Sequence, residues 1–173
     1  INSGKNAGYV EINYPITEID ENIYFVDTPG IEKMSPQQME LTRDALKNAN
    51  AIIFLIKKEG FTEPALKIIT GKHEVIGKIP SKDIFVVMTH MSDIYQQMEK
   101  DVSKKISELK RKVEKILAEN QLEGVKVYPV DSIDYLLGRN TELYEQEKAD
   151  HDISLKGQML SQDEYLKRSG FGV

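Results

Sequence analysis

Apolar and polar positions along the chain follow two periods in turn, and together they predict an alternation of strands and helices. Residues 9–16 place Val10, Ile12, Tyr14 and Ile16 on one side and Glu11 and Asn13 on the other, the period of a half-buried strand. The run Ile23-Tyr24-Phe25-Val26 predicts its partner, with Asp20-Glu21-Asn22 as the turn of an antiparallel hairpin at the sheet edge. Ser35-Pro36 reads as a helix N-cap and first helical position, ahead of Met39, Leu41, Thr42, Ala45 and Leu46. Residues 51–56 are apolar throughout, as expected of a central strand covered by helices on both faces. Thr62-Glu63-Pro64 opens a second helix through Leu66, Ile68 and Ile69, and Ile84-Phe85-Val86-Val87-Met88 is the next apolar run. Ile94, Met98, Val102, Ile106, Leu109, Val113, Ile116 and Leu117 then recur at spacings of four and three, the stripe of one long helix that Gly124 is expected to stop. Residues 125–130 form the last apolar run. Strands alternating with helices predict an α/β fold with a mainly parallel sheet.

The remainder is less regular. Residues 133–168 join a short apolar patch at Ile133, Tyr135, Leu136 and Leu137 to a charged stretch from Glu142 to Asp152. They read as an irregular helical insertion within one domain spanning 1–173, not as a second domain.

Composition narrows the function classes. The 173 residues suffice to bury a core and include no cysteine, which excludes disulfides, thiolate metal sites and cysteine nucleophiles. A net charge of −5 argues against a nucleic-acid groove, which needs a surplus of Lys and Arg on one face. No apolar stretch approaches the roughly 20 residues of a spanning helix, and residues 1–20 carry no signal-peptide pattern, so a cytoplasmic location is expected. Lys110-Arg111-Lys112 reads as a solvated helix face. His73 and His151 read as surface residues, and Met34, Met39, Met88 and Met98 as core.

Chemistry gathers where the apolar runs end. Asp27-Thr28-Pro29-Gly30 follows Val26 at once, and a strand there would deliver Asp27 to the carboxyl edge of a sheet. Its carboxylate suits the water shell of a Mg²⁺, and Gly30 leaves a backbone N–H free to approach a terminal phosphate. Taken alone, the same tetrad reads equally well as a Pro-Gly turn after a buried strand. Thr89, His90 and Asp93 follow the next run, and a carboxylate such as that of Asp93 can accept both N–H groups from the edge of a guanine ring. Asp131-Ser132 follows the last run, where a short loop would close over the base. Open α/β sheets bind ligands at the carboxyl ends of their strands, so three such loops point to one nucleotide.

These residues resemble the Ras-like, translation-factor-related class of P-loop GTPases. Asp27-Thr28-Pro29-Gly30 is similar to the family's third motif. His90-Met91-Ser92-Asp93 resembles the fourth, usually Asn-Lys-x-Asp or Thr-Lys-x-Asp, with Asp93 in the guanine-reading position; His90 and Met91 depart from the pattern. A register starting at Thr89 would resemble dynamin-type motifs but put Ser92 where the aspartate belongs. Residues 127–132 look like the weaker fifth motif, whose backbone groups contact guanine. The long helix between the fourth and fifth motifs, the insertion after Ser132 and Ser169-Gly170-Phe171 resemble dynamin-like large GTPases. Gly60-Phe61-Thr62-Glu63 and Thr89-His90 are also similar to the septin-related, immunity-associated group.

The resemblance implies a three-layer G-domain fold, a mainly parallel sheet with one antiparallel edge hairpin. It further implies GTP or GDP bound with Mg²⁺, Asp27 at the metal, and hydrolysis of the γ-phosphate. By family alone it implies nucleotide-dependent homodimers and peripheral membrane association. The Gly-x-x-x-x-Gly-Lys-Ser/Thr phosphate loop of such enzymes does not occur in residues 1–173. Asn2-Ser3-Gly4-Lys5 lacks the following Ser or Thr and a preceding apolar strand. Lys5 also lies only 22 positions before Asp27, while a helix of about 11 residues and two strands of about 5–6 would consume that span. The expectation is a partial G domain whose first strand and phosphate loop lie upstream, inactive by itself; a circular permutation is the less favoured arrangement. The residue that positions the attacking water is not assigned. The alternative is an inactive G-fold scaffold or interaction module.

Overall fold

The three apolar runs become three parallel strands because each has β-branched or aromatic residues at half or more of its positions and the runs are separated by helix-length connections. In the computed structural model they are β1 (Ala51–Lys57), β2 (Asp83–Thr89) and β3 (Lys126–Pro129), in the order β1-β2-β3. The structure describes residues 12, 20, 22–30, 34–79, 83–91, 94, 102–146 and 160–169. Ala51 pairs with Asp83 and Lys57 with Thr89, while Phe85 pairs with Lys126 and Met88 with Pro129. The parallel α/β sheet is the one the sequence pattern predicts.

The helices are α1 (Pro36–Asn48), α2 (Glu63–Ile69), α3 (Val102–Glu119), α4 (Ser132–Arg139), α5 (141–146) and α6 (Gln162–Ser169). Ser35 caps α1 as expected and does so in a reciprocal box: its Oγ accepts from Gln38 N at 3.3 Å while Gln38 Oε1 accepts from Ser35 N at 2.8 Å. Thr62 caps α2 by accepting from Ala65 N. On the exposed side of α2, Lys67 donates to Glu63 at 2.8 Å and holds that carboxyl below its usual range.

The core lies on one face of the sheet. Ile52, Phe54 and Ile56 of β1, Val86 and Met88 of β2 and Val127 of β3 meet Ala65, Ile68 and Ile69 of α2 and Val113 and Leu117 of α3. The expected cover on both faces is not formed by the described residues: the alternate side chains Ile53 and Leu55 are 54% and 66% exposed. The sheet is therefore roofed on one side, and no third layer is built from these residues.

The antiparallel hairpin is a second departure. Its turn forms, with Asp20 Oδ1 accepting from both the backbone and side-chain nitrogens of Asn22 and Asp20 O accepting from Ile23 N. Those N–H groups hold the Asp20 carboxyl below its usual range. Residues 23–26 nevertheless adopt no strand, and Tyr24 and Phe25 are 81% and 64% exposed. A strand exists only against a partner, and none of the described residues pairs with them; most of the expected partner, residues 9–16, lies outside the described residues.

The long helix stops earlier than Gly124. Gln121 takes φ of 62°, Leu122 N donates to Leu117 O and Gln121 N to Ala118 O, a Schellman close whose left-handed position is occupied by glutamine. Leu117 and Leu122 both join the core, which stabilises the early stop. Gly124, at φ 88°, turns the connection to β3 instead. Beyond β3, the helix fragments expected over 133–168 are α4, α5 and α6. Here Tyr144 and Tyr165 meet edge to face and Gly138 lies against Leu166, where a Cβ would clash. Ile94 is helical and buried; Met98 lies outside the described residues.

Candidate functional site

The carboxyl end of β2 is anchored from both sides. Thr89 Oγ1 donates to the Ile56 carbonyl of β1 at 3.2 Å and lies 2.9 Å from His90 Nδ1. His90 itself takes φ of 62°, a left-handed conformation that is costly for a residue with a Cβ. Packing explains why it is held there. Met88 and Met91 are both buried in the core, at 0% and 1% exposure, and Ile94 N closes the following turn on Met91 O at 2.9 Å. Reversing the chain sharply at His90 lets both methionines point inward and leaves the imidazole exposed.

Met91 therefore has a role that sequence reasoning missed. In the fourth-motif register it occupies the lysine position, but its side chain is core and is not offered to a ligand. The available signal was the pair of methionines three apart, flanking a polar Thr-His step at a strand end.

The end of β3 lies beside that of β2, tied by Val130 N donating to Met88 O at 2.8 Å. Asp131 is buried, and its Oδ1 accepts from Ile133 N and Asp134 N at 3.0 Å each as the N-cap of α4. Its own N–H donates to Ser169 O of α6 at 2.7 Å. The carboxylate thus orders the loop, so a ligand at this edge would meet backbone groups and the exposed Ser132 rather than Asp131 Oδ1.

Of the site residues expected from sequence, the structure brings Thr89, His90, Asp131 and Ser132 to one edge of the sheet. Asp93 lies outside the described residues. Asp27, Pro29 and Gly30 are exposed and Thr28 half-buried on an irregular segment, with open space around Gly30 where a Cβ would stand. Among the described residues no group of three His, Asp or Glu side chains could cage a metal. A single exposed carboxylate at Asp27 fits Mg²⁺, which is commonly held by one or two carboxylates together with water and substrate phosphates. No helix among the described residues is long and apolar enough to cross a membrane.

A parallel sheet with polar loops gathered at its carboxyl edge defines the class of an open α/β ligand-binding fold. Residues 9–90, just under half the chain, match the family model described as 50S ribosome-binding GTPase. The match takes in Asp27–Gly30 and ends at His90. It supports a P-loop GTPase G domain, with GTP binding and hydrolysis in general, and does not separate dynamin-like from septin-related types. No curated protein and no solved structure gives a significant match.

Proposed function

We propose that this chain forms the greater part of a GTPase domain that binds GTP with Mg²⁺ across the carboxyl edge of its sheet and hydrolyses the γ-phosphate. The observation that carries the reading is the adjacency of the β2 and β3 ends, fixed by the Val130–Met88 hydrogen bond, within a chain whose N-terminal half matches a GTPase family. In it, Asp27 holds the metal's water shell, Gly30 meets the γ-phosphate through its N–H, and Asp93 selects guanine. The base rests against Thr89-His90 and the 131–132 loop. Bound Mg²⁺ supplies charge neutralisation at the phosphates, and this chain's residues position and orient. The reading requires a phosphate loop from outside residues 1–173.

The finer type we propose is dynamin-like. It is supported by the 18-residue α3 between the fourth and fifth motifs and by the helical insertion that follows Ser132. Nucleotide-dependent homodimers, peripheral membrane association and a cytoplasmic location belong to that proposal through family resemblance only. Asp93→Asn in the full encoded protein tests the site: GTP affinity should fall and xanthosine triphosphate should become the better ligand. Unchanged base preference overturns the assignment. Buried Met91 in place of a ligand-facing lysine favours one second reading, an inactive G-fold scaffold, which steady GTP turnover would exclude.

A further inference from the structure

Two of the chain's three histidines are engaged through the same ring nitrogen, Nδ1, in opposite roles. At His73, Ile76 N donates to Nδ1 at 3.3 Å, so Nδ1 carries the lone pair and the neutral ring is protonated on Nε2. At His90 the neighbour of Nδ1 is the Thr89 hydroxyl, which has one proton to give. A carbonyl can only accept, so the contact with Ile56 O uses that proton. The Thr89 oxygen is then an acceptor toward His90, and both contacts are satisfied together only when Nδ1 carries a hydrogen.

We propose that Thr89 locks neutral His90 in the Nδ1–H tautomer, so that Nε2 presents a lone pair at the carboxyl edge to an N–H donor of the bound purine base. The ligand half of this rests on the nucleotide reading above; the tautomer half rests on geometry alone. Nε2 makes no hydrogen bond among the described residues, and the ring is exposed at the turned strand end. The left-handed backbone of His90 is the device that carries the ring out of the sheet while Met88 and Met91 stay buried. Thr89 is the positioning residue, because it acts through the imidazole and links it to β1. An amide-bearing residue at the same place could offer donor or acceptor, whereas this pair offers an acceptor only. The edge thereby offers an acceptor to a base N–H, of which guanine has both an imino and an amino kind, while the choice of guanine over adenine stays with Asp93 in the proposed function.

Nitrogen-15 NMR of the histidine rings tests the lock without any nucleotide. In the full encoded protein, at a pH well above the ordinary imidazole pKa of about 6.5, the His90 signal, assigned by His90→Gln, should report a proton on Nδ1 and that of His73 a proton on Nε2. Thr89→Val should move the His90 proton toward Nε2, and Thr89→Ser, which keeps the hydroxyl, should restore it. His90 protonated on Nε2 in the unmodified protein, or unmoved by Thr89→Val, overturns the lock. In parallel, Thr89→Val should weaken GTP binding roughly 2- to 10-fold, the scale of one net hydrogen bond, with recovery in Thr89→Ser. GTP binding untouched by Thr89→Val overturns the ligand role. Failure of the unmodified protein to bind GTP overturns the nucleotide reading, whereas GTP binding with His90 on Nε2 overturns the tautomer lock alone.

Discussion

The two faces of the sheet are built from the same strands and almost the same residue types, yet the described residues seal one and leave the other open. Ile52, Phe54 and Ile56 lie under α2 and α3, while Ile53 and Leu55, one position away on the same strand, face outward with the half-buried Phe85 and Val87 and the exposed Tyr128. The pleat sends successive side chains to opposite faces, so an apolar run equips both faces for burial whatever packs there. The lesson is that hydrophobicity in a strand records a requirement for cover without supplying it. A contiguous exposed apolar face is a surface made to meet something, and in the proposed function it is where the third layer of the domain belongs.

Emptying each face in turn should give opposite results. Phe54→Ala should cost about 3–5 kcal/mol, because it removes a buried ring that also meets Phe61 at 6.0 Å between centroids. Urea denaturation of the chain measures it. Improving the roof should act in the other direction: Gln121→Gly relieves the left-handed close of α3 and should stabilise by about 1 kcal/mol. On the open face, Leu55→Thr removes exposed apolar surface, introduces the β-branching that suits a strand, and should stay within about 0.5 kcal/mol in the same assay. A cost approaching that of Phe54→Ala would mean that the second face is covered after all. The smallest effect concerns the rim of α2. Lys67 depresses the Glu63 pKa, so this carboxylate's contribution is present above its unfolded value and lost as pH falls through its folded one. The melting-temperature difference between the unmodified chain and Glu63→Gln should therefore be small near neutrality and vanish in acid.

Much of this architecture was legible because the signals were local. The Ser35-Pro36 and Thr62-Glu63-Pro64 starts, the three parallel strands and the α3 stripe each follow from side chains within a few residues. What failed depended on partners distant in sequence. Ile23–Val26 has the composition of a strand, but pairing is not encoded in the run that needs it, and it stands exposed. Glycine at 124 was the stronger stop signal by propensity; Leu117 and Leu122 entering the core together outweighed it at Gln121. At the site, the types and order of Thr89, His90 and Asp131 could be read in advance. That Asp131 would be buried as a helix cap and Met91 as core could not, because each depends on what α4 and the sheet bring to it.

Calorimetric titration of the full encoded protein with GTP and with ATP, each with Mg²⁺, decides whether the carboxyl edge of this sheet is a guanine-nucleotide site. A guanine site gives saturable binding of GTP and none of ATP over the same concentrations. Equal binding of both, or binding of neither, would contradict it.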